Sequence, residues 1–195
     1  MDMLVDLLSK RSSVRRFSSR EIPDEILHEI LEAGRLSPSG GNEQPWAFGV
    51  ITDQKTISSI ADIAYGQKWI KSAPLLIVLV SKIVSDERGG RDIQKYRYPR
   101  WQAEIETMDK DLYSCLNLEE HQTKIPGTHM VLQALEYDLG STWVSYFDVK
   151  KMAELLELPN DHIPSEIIAF GYPAKERTFS RKKDLTDIVF YNKFK

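Results

Sequence analysis

The run Ala73-Pro74-Leu75-Leu76-Ile77-Val78-Leu79-Val80 is the feature that most narrows what this chain can become. It is far shorter than the roughly 20 apolar residues that span a bilayer. Uninterrupted and rich in β-branched residues, it suits a central strand covered on both faces rather than a half-exposed one. Such a strand requires apolar layers above and below it, and the flanking sequence supplies them.

Leu4, Val5, Leu7 and Leu8 give a short helical face ahead of a basic stretch from Lys10 to Arg16. A second helix is expected after Pro23, whose missing N–H is not needed in a first helical turn. Asp24 and Glu25 lie where the helix dipole favours negative charge, and Ile26, Leu27, Ile30 and Leu31 recur at helical spacing as a buried stripe. Pro38, Gly40 and Gly41 close that pattern and open a loop. A strand is expected over Trp46–Thr52, a helix over 54–64, a helix from Met130 to Leu139 closed by Gly140, a strand over Thr142–Phe147, a helix over Lys150–Leu158, and a strand over Ile167–Tyr172. Interleaved helices and strands point to an α/β or α+β class with a mixed sheet.

Composition bounds the remaining possibilities. At 195 residues with 42% hydrophobic and 28% charged content, one compact domain over 1–195 is the expectation, since no linker or repeat divides the chain. A net charge of −3 argues against a nucleic-acid or anionic-membrane partner, which would favour a strongly basic surface. The single cysteine, Cys115, excludes an internal disulfide framework and fits a reducing compartment. With an acidic start and no signal-like apolar segment, the chain is expected to be a cytoplasmic protein without a membrane partner.

The segment 85–128 differs in texture. It is rich in charge and aromatic residues, and Trp101, Ile105, Met108 and Leu112 recur at helical spacing. Their stripe must cover something, either as peripheral packing or as a variable cover over a ligand pocket.

Two stretches carry the chemistry. In Arg11-Ser12-Ser13-Val14-Arg15-Arg16-Phe17, two hydroxyls lie between guanidinium groups, whose forked donors match phosphate oxygens. The same residues could form a solvated basic face. In Ser37-Pro38-Ser39-Gly40-Gly41-Asn42-Glu43-Gln44-Pro45-Trp46, glycines permit close backbone approach and Asn42 and Gln44 offer mixed donors and acceptors, although such a stretch can also be a plain turn. Together and in this order they resemble the nitroreductase family, which opens with an Arg-Ser-[Val/Ile]-Arg-x-Phe element and continues through a helix into Pro-Ser-x-x-Asn-x-Gln-Pro-Trp. Further elements agree. Gln67-Lys68-Trp69-Ile70-Lys71-Ser72-Ala73-Pro74, Leu139-Gly140-Ser141-Thr142-Trp143-Val144, and Phe170-Gly171-Tyr172-Pro173 followed by Arg181-Lys182-Lys183 are similar to family segments. The resemblance covers most of the chain outside 85–128.

The resemblance implies an α+β fold with a central mixed sheet flanked by helices, and a homodimer holding two FMN molecules at its interface. Arg11, Ser12, Ser13 and Arg15 would hold the phosphate, ribityl chain and pyrimidine edge, reinforced by Arg181 and Lys182. Pro38, Ser39, Gly40 and Asn42 would approach the flavin from the other subunit, and Gln67 would add a polar contact. Trp143, Val144, Ser145 and Tyr146 would run past the ring and present a backbone donor near its redox-active nitrogen. NADH or NADPH would be a transient hydride donor, with a small electron-poor molecule such as a nitroaromatic, quinone or enone as acceptor in a ping-pong cycle. No side-chain acid or base is assigned as catalytic.

Some features depart from the family or leave the chemistry open. Ser145-Tyr146 stand before Phe147-Asp148 where many members carry glycine, so Tyr146 would narrow the space by the flavin. The basic end Ser180-Arg181-Lys182-Lys183 lacks a clean family register. His28, His121, His129 and His162 show no metal-ligand spacing, and no Gly-x-Gly-x-x-Gly phosphate loop is present. One fold hosts several chemistries, so reductive dehalogenation, flavin fragmentation and non-catalytic flavin binding stand as alternatives. The apolar, β-prone end Asp187–Phe194 either packs on its own sheet or docks on a second subunit, the expectation here being exchange across the dimer.

Overall fold

The computed structural model of this chain describes residues 3–82, 95–96, 98–108 and 118–193. Its centre is a four-stranded sheet made of β1 (Trp46–Ile51), β2 (Leu75–Lys82), β3 (Gly140–Val144) and β4 (His162–Gly171), in the order β1-β2-β4-β3. The apolar run becomes β2, an interior strand buried from Leu75 to Ser81. Its side chains alternate between two cores. Leu76, Val78 and Val80 face one side, and Leu75, Ile77 and Leu79 face the other.

Among the described residues the helices are α1 (Met3–Ser9), α2 (Asp24–Arg35), α3 (Gln54–Ile63), α4 (Gln102–Thr107), α5 (Leu118–Glu136) and α6 (Val149–Leu155). On the Leu76 face, Ile57, Ile60 and Ala61 of α3 and Met152 of α6 complete the core. On the Leu75 face, Ile30 of α2 and Met130, Val131 and Ala134 of α5 do so. Asp53 caps α3 by accepting the Thr56 N–H at 2.8 Å, and Asp148 caps α6 by accepting the Lys151 N–H at 3.0 Å. The architecture is α+β, and no described helix is long and apolar enough to cross a membrane.

The expected mixed sheet is antiparallel in all its strand pairs, and the parallel pairing among the described residues is the isolated bridge between Ser13 and Ser141. Interleaved helices ordinarily signal parallel crossovers, but here α3 and the turn Lys68–Ser72 return the chain to the end where β1 stopped, with Ile51 opposite Leu76. Gly140 is likewise not a helix cap. Asp138 takes the left-handed conformation after α5, at φ 58°, and Gly140 begins β3. A glycine is required there because a Cβ would lie 2.5 Å from Val14 Cγ2. Helix α6 ends earlier than expected, since Glu157 adopts φ 50°.

In the segment expected as a cover, the chain is helical over Gln102–Thr107. Ile105 is buried, Trp101 is exposed, and Met108 has left the helix with ψ 135°. Leu112 and Cys115 lie outside the described residues. The C-terminal end has no described strand: a single 3₁₀ turn at Leu185–Asp187 precedes an exposed row of Ile188, Val189, Phe190 and Tyr191.

Candidate functional site

The basic stretch is an extended arm laid against the sheet. Val14 N–H donates to Ser141 O at 3.1 Å and Thr142 Oγ1 donates to Val14 O at 2.6 Å, fixing the arm beside β3. Further along, Ala174 N–H donates to Arg16 O at 2.9 Å and Ser18 N–H donates to Tyr172 O at 2.8 Å, beside the end of β4. Burial alternates from Ser12 to Arg15 and shifts by one residue at Arg16, so Val14 and Phe17 enter the same core while Ser13, Arg15 and Arg16 stay exposed. Anchoring by apolar residues thus turns the cationic ones outward.

Arg177 locks the arm from outside. Its guanidinium donates to Lys10 O at 3.1 Å, Asp138 O at 2.7 Å and Leu139 O at 3.3 Å. The forked head therefore bridges the start of the arm and the approach to β3, which a lysine could not do with one nitrogen.

Between the arm and residues 175–178 lies a cleft of about 110 Å³, with Ser12, Ser13, Arg15, Arg16, Lys175 and Thr178 among its walls. Arg15, Arg16, Lys175 and Arg177 outnumber the one carboxylate there, Glu176. Ser12 is 7% exposed, and its hydroxyl has no hydrogen-bond partner among the described residues. An unpaired buried hydroxyl carries a desolvation cost. Beside arginines, it is a donor well suited to an anionic or polyhydroxylated ligand, so these residues fit the phosphate and ribityl chain of FMN.

Other residues singled out from sequence gather near the arm. Arg15 lies over the Trp69 ring at 6.0 Å, and Trp69 belongs to the turn after Gln67. Gln67 Nε2 donates to Tyr146 O at 3.1 Å. Of the stretch from Trp143 to Tyr146, Val144 is buried in the core and Trp143 packs against the other core, whereas Ser145 and Tyr146 emerge at the surface. Tyr146 is 70% exposed, and its ring lies 4.3 Å from that of Tyr65, tilted by 32°. The space by this turn is thus already occupied by two aromatic rings.

The loop holding Pro38, Ser39, Gly40 and Asn42 makes its contacts with α5: Gly40 N–H donates to Gln122 Oε1 at 2.7 Å, and Ser37 Oγ meets His129 Nδ1 at 2.7 Å. Gly41, Asn42 and Gln44 adopt φ of 59°, 56° and 49°, and Ser39 Oγ accepts the Gln44 N–H at 2.9 Å. Arg181 and Lys182 are exposed in the tail, with Arg181 3.8 Å from Asp184. Lys175 lines the cleft, and neither Arg181 nor Lys182 is among its walls within one chain.

Sequence reasoning missed Lys175 and Arg177, although both lie within four residues of the Gly-Tyr-Pro element. It also missed Glu166, a lone acid leading into an apolar strand. Just past the Ser145–Tyr146 turn, Asp148 has a carboxyl held below its ordinary range, chiefly by the Lys151 backbone N–H. Among the described residues no group of three or more histidine, cysteine, aspartate or glutamate side chains could hold a metal ion.

Residues 8–111 match the model of the nitroreductase family. The chain is 31% identical over 190 residues to an oxygen-insensitive NADPH nitroreductase of Helicobacter acinonychis, covering 91% of this chain and 90% of that protein. It is 28% identical over 192 residues to an NADH dehydrogenase of Thermus thermophilus, covering 93% and 92% of the two. The structure of an FMN-dependent nitroreductase from Clostridium difficile superposes with a TM-score of 0.73 at 26% identity, covering 97% of this chain and 99% of that one. The family model matched over more than half of the chain and the 31% identical relative make this chain a member of the nitroreductase family.

Proposed function

We propose that this protein is an FMN-dependent oxidoreductase that takes hydride from NADH or NADPH and delivers it to small electron-poor acceptors such as quinones, nitroaromatics and enones. The observation that carries the reading is the buried, unpartnered hydroxyl of Ser12, a residue that lines a cleft in which cations outnumber the one carboxylate. The relative from H. acinonychis bears the name NADPH nitroreductase, and the C. difficile structure is described as FMN-dependent, which supports the same chemistry.

In this reading Arg11, Ser12, Ser13 and Arg15 hold phosphate, ribityl chain and pyrimidine edge, while Arg181 and Lys182 add charge at the phosphate. Gln67 and the backbone at Ser145 and Tyr146 border the ring, and the loop with Pro38, Ser39, Gly40 and Asn42 approaches from a second copy. When bound, FMN supplies reversible hydride acceptance and donation. The chain's own share is to orient the ring through this backbone, to stabilise negative charge with arginine forks, and to limit access through Tyr65 and Tyr146.

A homodimer belongs to the proposal. Its support is two apolar surfaces: the exposed row Ile188 to Tyr191, and a groove of about 550 Å³ whose lining includes Leu4, Leu7, Leu36 and Leu132.

Denaturing the purified protein and identifying the released flavin tests the reading, with FMN rather than FAD expected. Arg11→Ala and Arg15→Ala should each weaken FMN binding by about ten- to a hundredfold, from roughly 1.5–3 kcal/mol per charged hydrogen bond. NADPH oxidation with a quinone then separates turnover from mere storage. Colourless protein that takes up no added FMN overturns the proposal.

A further inference from the structure

Beneath the end of β3 lies a buried polar group that the flavin reading leaves without a task. Glu166 stands in β4 opposite Leu79 and is 4% exposed. Its carboxylate accepts the Ser145 hydroxyl through Oε2 at 2.6 Å and pairs with Lys124 Nζ through Oε1 at 3.2 Å. The glutamate is buried while Lys124 is 42% exposed, and a charge taken out of water is seldom a net source of stability compared with apolar packing of the same volume. Stability alone therefore gives no reason for an acid buried within β4.

Its connections give one. Ser145 is the first residue beyond β3, and the next carbonyl, Tyr146 O, is held by Gln67 Nε2 at 3.1 Å. The exposed Ser145–Tyr146 turn is thus clamped from below by Glu166 and from the side by Gln67. Lys124 in turn sits on a part of α5 that is tied down elsewhere: Gln122 accepts the Gly40 N–H, and Thr123 shares a hydrogen bond with Ser81 at 2.7 Å. The counter-ion is therefore carried on a fixed element.

We propose that Glu166 is a positioning residue for the flavin, pinning the Ser145–Tyr146 turn with Lys124 as its counter-ion and setting, by its buried charge, the balance between oxidised and reduced FMN. This rests on the FMN reading above. In a low-dielectric interior a fixed anion near the ring disfavours the electron-rich reduced cofactor, and a fixed cation favours it. Glu166 and Lys124 then act in opposite directions, which a purely structural pair would not do.

The test uses the FMN-loaded protein, with the flavin potential measured against a reference dye and FMN affinity measured by fluorescence quenching on the apoprotein. Glu166→Gln keeps an acceptor for Ser145 but removes the charge, so the potential should rise. Lys124→Met should lower it, and Lys124→Arg should leave it at the wild-type value. A tenfold change in the ratio of reduced to oxidised FMN affinity corresponds to about 30 mV for this two-electron couple. Ser145→Ala keeps both charges and should weaken FMN binding severalfold with little change in potential. If Glu166→Gln does not fold, the contrast between Lys124→Met and Lys124→Arg carries the test alone. Potentials that stay fixed, or that move the same way in the glutamate and lysine variants, overturn the inference while FMN binding stands. Wild-type protein that binds no FMN overturns the functional reading and this inference with it.

Discussion

The Thr142 hydroxyl donates a 2.6 Å hydrogen bond to the Val14 carbonyl, across a sequence separation of 128 residues. Both residues are buried, so neither group has water as a ready substitute. Replacing Thr142 with valine preserves shape but leaves the Val14 carbonyl without this donor, at a cost of about 1–3 kcal/mol. Urea unfolding of Thr142→Val should show a lower midpoint with an unchanged slope. FMN affinity should fall as well, because the arm loses a tether.

Ser12 should behave in the opposite way in the empty protein. Its buried hydroxyl has no partner among the described residues, so Ser12→Ala removes an unsatisfied group and should leave apoprotein stability unchanged or slightly raised. The same variant should bind FMN more weakly. Thermal unfolding with and without FMN separates the two effects, and a variant destabilised when empty would show that the hydroxyl has a structural task.

Arg177 is expected to be intolerant even of lysine. Its guanidinium serves the carbonyls of Lys10, Asp138 and Leu139 together. Arg177→Lys keeps the charge but must serve the three acceptors from a single nitrogen, and should lose roughly 1.5–3 kcal/mol, the scale of a hydrogen bond to a charged group. Hydrogen exchange at residues 11–15 would report the release of the arm directly. Protection equal to that of the wild type would place the anchoring elsewhere.

Much of this fold was legible because the decisive signals are local. The apolar run located β2, Pro23 and the stripe through Ile30 located α2, and the Arg-Ser and Ser-Pro motifs located the arm and the loop. What escaped depends on distant partners. The antiparallel pairing of β1 with β2 is set by where α3 returns the chain, which no window of sequence records. Gly140 read as a helix cap because glycine is common there, whereas its real cause is the Val14 side chain against its α-carbon. Glu166 was overlooked because its partners, Ser145 and Lys124, lie on other elements.

Asp148 offers a test by pH. Its carboxyl is held below the ordinary range chiefly by the Lys151 N–H, with opposition from partial burial. A depressed carboxyl contributes stability that is present above its unfolded pKa, about 3.9, and is lost as pH falls through the folded value. Asp148→Asn retains a capping oxygen but does not titrate. Its unfolding temperature should therefore fall less steeply than that of the wild type as the solution is taken below about pH 4. Identical acid profiles for the two proteins would dismiss the cap as a source of pH dependence.

The tail makes the dimer testable. Leu185, Ile188, Val189, Phe190 and Tyr191 are exposed in the single chain, and a second subunit would cover them. Truncation after Lys183 is expected to weaken dimerisation and lower FMN affinity together, as read by sizing and absorbance. A truncated protein that stays dimeric and fully flavin-loaded would show that the tail is dispensable.

The tethering of the arm also has a consequence for synthesis. Residues 10 to 17 leave the ribosome well before the groups that fix them, Ser141, Thr142, Tyr172, Ala174 and Arg177. Until then the arm lacks these tethers, and closure of these long loops must wait for them. A nascent chain halted before β3 should therefore be unable to capture the cofactor, however much of α2, β1 and β2 has already formed. On the proposed FMN reading, cofactor capture would therefore wait for the strands that hold the arm, β3 and β4.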